Sequence, residues 1–297
     1  MIIDALLDEA AQVGLATTLE DHWSRVEAFD TRFTDTVDRA AFGGFSSDRL
    51  GFAFVAGYRA ALQRLVPSLG GRRACLCATE EGGAHPRAIK ATLADGRLRG
   101  TKTFATLASH AEELLVVVSV GEREGRNELR VARIPRSRAG VVVEEKAPWP
   151  VAPEIPHAIV RFEDVAVAEG DLLEGDGYAR YLKPFRTIED IHVMASTAGY
   201  LFSVGRIAGW ERASLETIAA SISSLRAIAA FDPSQRGTHL ALAGTIAAVE
   251  RVVATLDFSK APSETRERWE RDAPLLQVAG KARAARRDAA WRSLDGE

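Results

Sequence analysis

In the first part of the chain, apolar residues recur at the helical spacing of about 3.6 residues. Ala5, Leu6, Ala10 and Val13 share one face, Trp23, Val26 and Phe29 a second, and Phe52, Val55, Tyr58, Leu62, Leu65 and Val66 a third. The spacing predicts helices up to about residue 70, where Pro67, Gly70 and Gly71 stop the last one. Over residues 73–169 the texture changes. Short apolar runs at 74–78, 114–120, 129–134, 141–143 and 158–162 alternate with turn residues Asp95, Gly96, Gly121, Gly125 and Gly140, which predicts an antiparallel β domain. Beyond Gly177, helical patterns return over 187–210, 212–231, 238–258 and 266–294, broken by Pro233 and Pro262. The expected class is α+β, with an N-terminal helical domain over 1–72, a central antiparallel β domain over 73–178 and a C-terminal helical bundle over 179–297.

Composition narrows what such a chain does. With 297 residues, 46% of them hydrophobic and 27% charged, it is rich enough in core-forming residues for a globular protein with a ligand-sized cavity. A net charge of −3 supplies no bulk field for tracking phosphates, so nucleic acid is not an expected partner. Asp4, Asp8 and Glu9 stand where a secretory leader carries basic residues, and the apolar stretch over 50–66 is interrupted by Arg59 and Arg64. A cytoplasmic protein without a membrane span is expected. Cys75 and Cys77 lie two apart on a strand, on one face, and read as small buried hydrophobes. His22, His110, His157 and His239 lack metal-ligand spacing, and no metal site is expected.

Two stretches carry chemistry. The first is Ala78-Thr79-Glu80-Glu81-Gly82-Gly83, followed by Gly100-Thr101-Lys102-Thr103-Phe104-Ala105-Thr106; the second is Phe162-Glu163-Asp164-Val165-Ala166-Val167. If the strand over 101–106 alternates regularly, Phe104 and Thr106 share a face as an apolar wall beside a hydroxyl. A flat redox ring, apolar over its faces and polar along one edge, needs such a combination. In order and spacing the two stretches resemble the acyl-CoA dehydrogenase family, over residues 51–210, and the helix–β–helix order is similar to that family's architecture.

The resemblance implies bound FAD, with Phe104 against the flavin ring, Thr106 at its N5/O4 edge, Thr79 at its pyrimidine edge and Trp149 in the loop beside the flavin and acyl pocket. It further implies oxidation of the α,β-bond of an acyl-CoA or other acyl thioester, electron transfer to an electron-transfer flavoprotein and a homo-oligomeric assembly. One branch of the family carries its catalytic glutamate on the helix at 187–210, which aligns Glu189 with the α-proton base. Glu189, His192, Ser196 and Ser203 form a polar stripe on that helix, of the kind that lines a cavity. Departures are also evident. The family's Gly-Ser-Asp after the first glycines is replaced by Ala84-His85-Pro86-Arg87, Asp190 stands where an arginine is usual, and the Arg-x-x-Phe-Gly and Gly-Gly-x-Gly phosphate motifs are missing. His85 and Arg87 are candidate replacements at the phosphates, and Arg206 and Arg212 for the arginine; Lys281, Arg283, Arg286, Arg287 and Arg292 form a basic cluster on the last helix. The leading expectation is a divergent acyl-CoA dehydrogenase-like flavoprotein. The alternative is a catalytically incomplete subunit that does not retain FAD and pairs with a more complete paralogue.

Overall fold

A computed structural model describes residues 1–11 and 16–295, leaving the expected core position Val13 outside the described residues. The chain divides into two compact units, one of Met1–Arg64, Trp149–Glu154 and Thr187–Glu297, the other of Leu65–Pro148 and Ile155–Arg186.

The first unit is helical. Its N-terminal part carries α1 (Ile2–Asp8), α2 (Leu19–Glu27), α3 (Thr36–Phe45) and α4 (Leu50–Leu65). The C-terminal part carries α5 (Lys183–Ala208), α6 (Arg212–Ile228), α7 (Arg236–Val253), α8 (Ser263–Asp272) and α9 (Gly280–Asp295). At the start of α2, the Thr18 hydroxyl accepts the Asp21 N–H while the Asp21 carboxylate accepts the Thr18 N–H, closing a capping box. Val37, Ala41, Phe42 and Phe45 from α3 join Ala195, Ala198 and Leu201 from α5 and Ile218 and Ile222 from α6 in one buried cluster. The backbones cross closely there. A Cβ on Gly44 would lie 1.8 Å from the Ser196 carbonyl oxygen, and one on Gly199 would lie 1.9 Å from that of Ala41.

The single helix expected over 266–294 is instead α8 and α9 with a 3-10 stretch, Ala273–Gln277, between them. Pro274 has no N–H to continue the helical ladder and restricts the residue before it. No helix among the described residues is long and apolar enough to cross a membrane.

The second unit is built on a seven-stranded sheet ordered β1-β4-β2-β3-β7-β6, with β5 paired to β4. The strands are β1 (Ala74–Cys77), β2 (Thr92–Ala94), β3 (Arg97–Thr106), β4 (Glu113–Arg123), β5 (Arg126–Pro135), β6 (Val141–Glu145) and β7 (His157–Ala166). The expected antiparallel pairing holds for β2–β3, β3–β7, β4–β5 and β6–β7, whereas β1 and β2 run parallel to β4, so the sheet is mixed. Asp95 and Gly96 both have positive φ, 49° and 68°, and close β2 onto β3 as a two-residue hairpin, the conformation that an Asp-Gly pair favours. Cys75 and Cys77 lie inside the sheet's apolar cluster with their sulfurs 3.7 Å apart, neither exposed, as expected.

Candidate functional site

Most of the sequence-predicted cofactor positions gather at the β1 end of β3. Thr79 follows β1, forms an antiparallel bridge with Phe104, and its carbonyl accepts the Thr103 N–H at 2.9 Å. Phe104 and Thr106 are half-buried and alternate with the buried Ala105, so they share one face of β3. Regular alternation over 101–106 is not observed: the β3–β7 register slips between Lys102 and Ala105. This irregularity adds a residue to β3, and it lets Lys102 join Ala105 among the buried positions while Phe104 and Thr106 are only half-buried.

Lys102 then takes a role that sequence reading missed. Its ammonium is fully buried, 2.7 Å from Glu80 Oε1, and it also donates to the Val117 carbonyl. Glu80 in turn accepts the backbone N–H groups of Lys90 at 2.8 Å and Ala91 at 3.1 Å. Burial pulls the Lys102 ammonium below its ordinary range, and the Glu80 carboxylate opposes that shift. One carboxylate therefore ties the residue after Thr79 to the strand that carries Phe104. Glu80 and Lys102 stood inside the quoted motifs, but it is the register slip after Lys102 that puts its side chain on the face opposite Phe104 and Thr106.

His157 is the second unforeseen member. It is the cross-strand partner of Thr106, its ring stacks on Phe104 with centroids 4.2 Å apart and planes 25° apart, and its Nδ1 lies 3.3 Å from Thr106 Oγ1. Burial, with a smaller contribution from the Lys146 ammonium, lowers its pKa to about 4, which keeps the imidazole neutral at ordinary pH. Sequence spacing ranked it with the isolated histidines because its partners lie across the sheet rather than along the chain.

The turn after Thr79 is tight, with Glu80 and Gly83 exchanging backbone hydrogen bonds at 3.0 and 2.8 Å and Gly83 at a φ of 94°. His85 and Arg87, the candidate phosphate contacts, are exposed; the His85 Nδ1 accepts the Arg87 N–H at 3.3 Å and caps the short turn Pro86–Ala88. The donor set therefore fits the ring of a flavin, with an aromatic face and hydroxyls at one edge, better than it fits the pyrophosphate.

The remaining predicted residues belong to the helical unit. α5 starts at Lys183, which puts the half-buried Glu189 beyond its first turn, away from the helix N-terminus. Beside it, Asp190 is buried and ion-paired with Arg286 from α9, and burial raises its pKa to about 6 against the opposing Arg286 and Arg283. The basic cluster on α9 thus sends one arginine to the position where an arginine was missed. His192 and Ser196 do not line a cavity: the imidazole Nε2 is 2.8 Å from Thr36 Oγ1, and the Ser196 hydroxyl donates to the Ala53 carbonyl. Arg206 donates to the Leu6 and Glu9 carbonyls and fastens α1. Trp149 is 37% exposed in a segment held to α8, where Ala152 N–H donates to Asp272 at 2.8 Å and Glu154 pairs with Arg271 at 3.1 Å.

With this geometry in view, the chain has an acyl-CoA dehydrogenase-like fold. Butyryl-CoA dehydrogenase from Megasphaera elsdenii matches over 92% of this chain and 90% of its own, with a TM-score of 0.68 and 13% identity. The prolyl acyl carrier protein oxidase AnaB matches over 93% and 91%, with a TM-score of 0.68 and 15% identity. The FAD complex of PigA matches over 96% and 99%, with a TM-score of 0.63 and 12% identity. No protein-family model and no curated protein matches the sequence.

Proposed function

We propose that the protein is a dehydrogenase-type flavoprotein that oxidises the α,β-bond of an acyl thioester carried by coenzyme A or by a carrier protein. The observation that carries this reading is the shared, half-buried face of Phe104 and Thr106, with Thr79 bridged to it and the whole fixed from behind by the Glu80–Lys102 pair. The structural neighbours bear on the substrate class through what they are, a butyryl-CoA dehydrogenase and a prolyl acyl carrier protein oxidase, and on the cofactor through a complex with FAD.

When bound, FAD supplies the acceptor for the β-hydride. Phe104 covers an apolar ring face, and the Thr79 and Thr106 hydroxyls offer hydrogen bonds along the polar edge. Glu189 takes the α-proton onto a carboxylate oxygen, and Trp149 covers the flavin ring. The reduced protein passes its electrons to an acceptor such as an electron-transfer flavoprotein, and it works in the cytoplasm as an oligomer. The internal hydrogen bond from Arg87 N–H to His85 favours a second reading, a subunit that does not retain FAD and completes a paralogue, because it removes a backbone donor from the turn where phosphates would be held.

The visible spectrum decides between them. Purified protein incubated with FAD and desalted is expected to be yellow and to bleach on anaerobic addition of an acyl-CoA or acyl carrier protein thioester. In Glu189→Gln the colour stays and bleaching slows at least about a hundredfold. A protein that remains colourless after incubation supports the second reading, and unchanged bleaching in Glu189→Gln removes Glu189 from the role of base.

A further inference from the structure

Thr106 and His157 face each other across β3 and β7, and the imidazole also lies flat on Phe104. A ligand that touches both Phe104 and Thr106 therefore reaches a surface that includes His157. The Thr106 hydroxyl has one proton, and its direction depends on the histidine. If Nδ1 carries the hydrogen, His157 donates to Thr106 and the hydroxyl proton is left to donate outward. If Nε2 carries it, Nδ1 accepts from Thr106 and the hydroxyl offers only lone pairs outward.

We propose that His157 is a positioning residue of the cofactor shelf, setting through its tautomer whether Thr106 presents a donor or an acceptor to the polar edge of the flavin. The inference rests on the flavin reading above. It supplies something that reading lacks, since the N5 edge of a flavin accepts hydrogen bonds when oxidised and donates one when reduced, so a fixed donor suits only one of the two states. When water at the half-buried ring takes the proton from one nitrogen and supplies one to the other, the imidazole reverses its hydrogen bond to Thr106 with no net change of charge. Burial, helped by Lys146, keeps it neutral with a pKa near 4. The Lys146 ammonium bears on the imidazole, and Phe104 and Thr106 are uncharged.

The test compares full-length protein with His157→Phe, which keeps a stacking ring and loses the hydrogen bond, and His157→Asn, which keeps a group able to donate or accept. The readouts are FAD affinity by fluorescence titration, the position of the visible flavin band, and the melting temperature of the FAD-free protein. The expected result is weaker FAD binding by about threefold to tenfold in His157→Phe, the worth of one net hydrogen bond, with a displaced flavin band and recovery of both in His157→Asn. Wild-type affinity and band position in His157→Phe overturn the inference and leave the flavin reading standing. Equal loss in both variants with a lowered melting temperature also overturns it, because the residue then only holds the strands together. Failure of the wild-type protein itself to take up FAD removes the flavin reading, and this inference with it.

Discussion

A buried ammonium is tolerable only when a carboxylate stands against it and both are otherwise hydrogen-bonded. Lys102 and Glu80 meet that condition through the Val117 carbonyl and the Lys90 and Ala91 N–H groups. Replacing Lys102 by methionine removes the cation and leaves the Glu80 carboxylate largely shielded from water, so the expected loss is about 3 kcal/mol of folding stability, read by urea denaturation. The double variant with Glu80→Gln is expected to recover part of that loss, since no charge then remains in place. At the same scale, Phe104→Ala takes away the apolar wall while leaving the bridged backbone of Thr79; FAD affinity is expected to fall about tenfold or more, with the far-ultraviolet circular dichroism unchanged. Equal FAD binding in that variant would place the cofactor elsewhere.

Elements in this fold are set by close approach as much as by apolar pattern. At the α3–α5 crossing, Gly44 and Gly199 each admit a backbone carbonyl where a Cβ would stand, at 1.8 and 1.9 Å, and Gly57 admits the backbone of Val193 on α5 with a Cβ distance of 2.7 Å. Gly44→Ala forces the helices apart, and a destabilisation of about 2–3 kcal/mol is expected from thermal or denaturant melts, although alanine has the higher helix propensity. Helix and strand identities were legible from the chain because period and turn residues act locally: the Asp95–Gly96 hairpin and the helices at 212–231 and 238–258 were foreseen on that ground. The Pro274 interruption, the parallel pairing of β1 with β4 and the register slip in β3 were not, since each depends on which partner a segment meets. The Phe104 and Thr106 positions came from motif order, and their common face from strand geometry. The contribution of His157 needed the β7 register, which a single sequence does not reveal.

Across the whole molecule, buried titratable groups determine how folding responds to acid. Burial lowers the pKa of His22 to about 3 and those of His192 and His157 to about 4, against an ordinary value of 6.5. The unfolded chain binds protons at these histidines that the folded protein refuses, so their stabilising contribution is complete above pH 6.5 and is lost as pH falls toward 4. Asp190 acts in the opposite sense. Its folded pKa of about 6 lies above the ordinary 3.8, so the folded protein gains a proton first and is relatively favoured as pH drops from 6 toward 4. Between pH 7 and pH 5, the fully buried His22 and His192 each withdraw about 2 kcal/mol while Asp190 returns about 1 kcal/mol, so the balance of these three groups is destabilising. His157 adds in the same direction. The melting temperature is accordingly expected to fall from pH 7 to pH 5. In His192→Gln, which keeps a polar partner for Thr36 and cannot titrate, the fall is expected to be shallower, whereas Asp190→Asn is expected to steepen it by removing one of the opposing carboxyl groups, which also include Asp38 and Glu154. A melting temperature that rises on acidification would mean that the carboxyl groups of raised pKa, Asp38, Glu154 and Asp190, and not the buried imidazoles, govern the response.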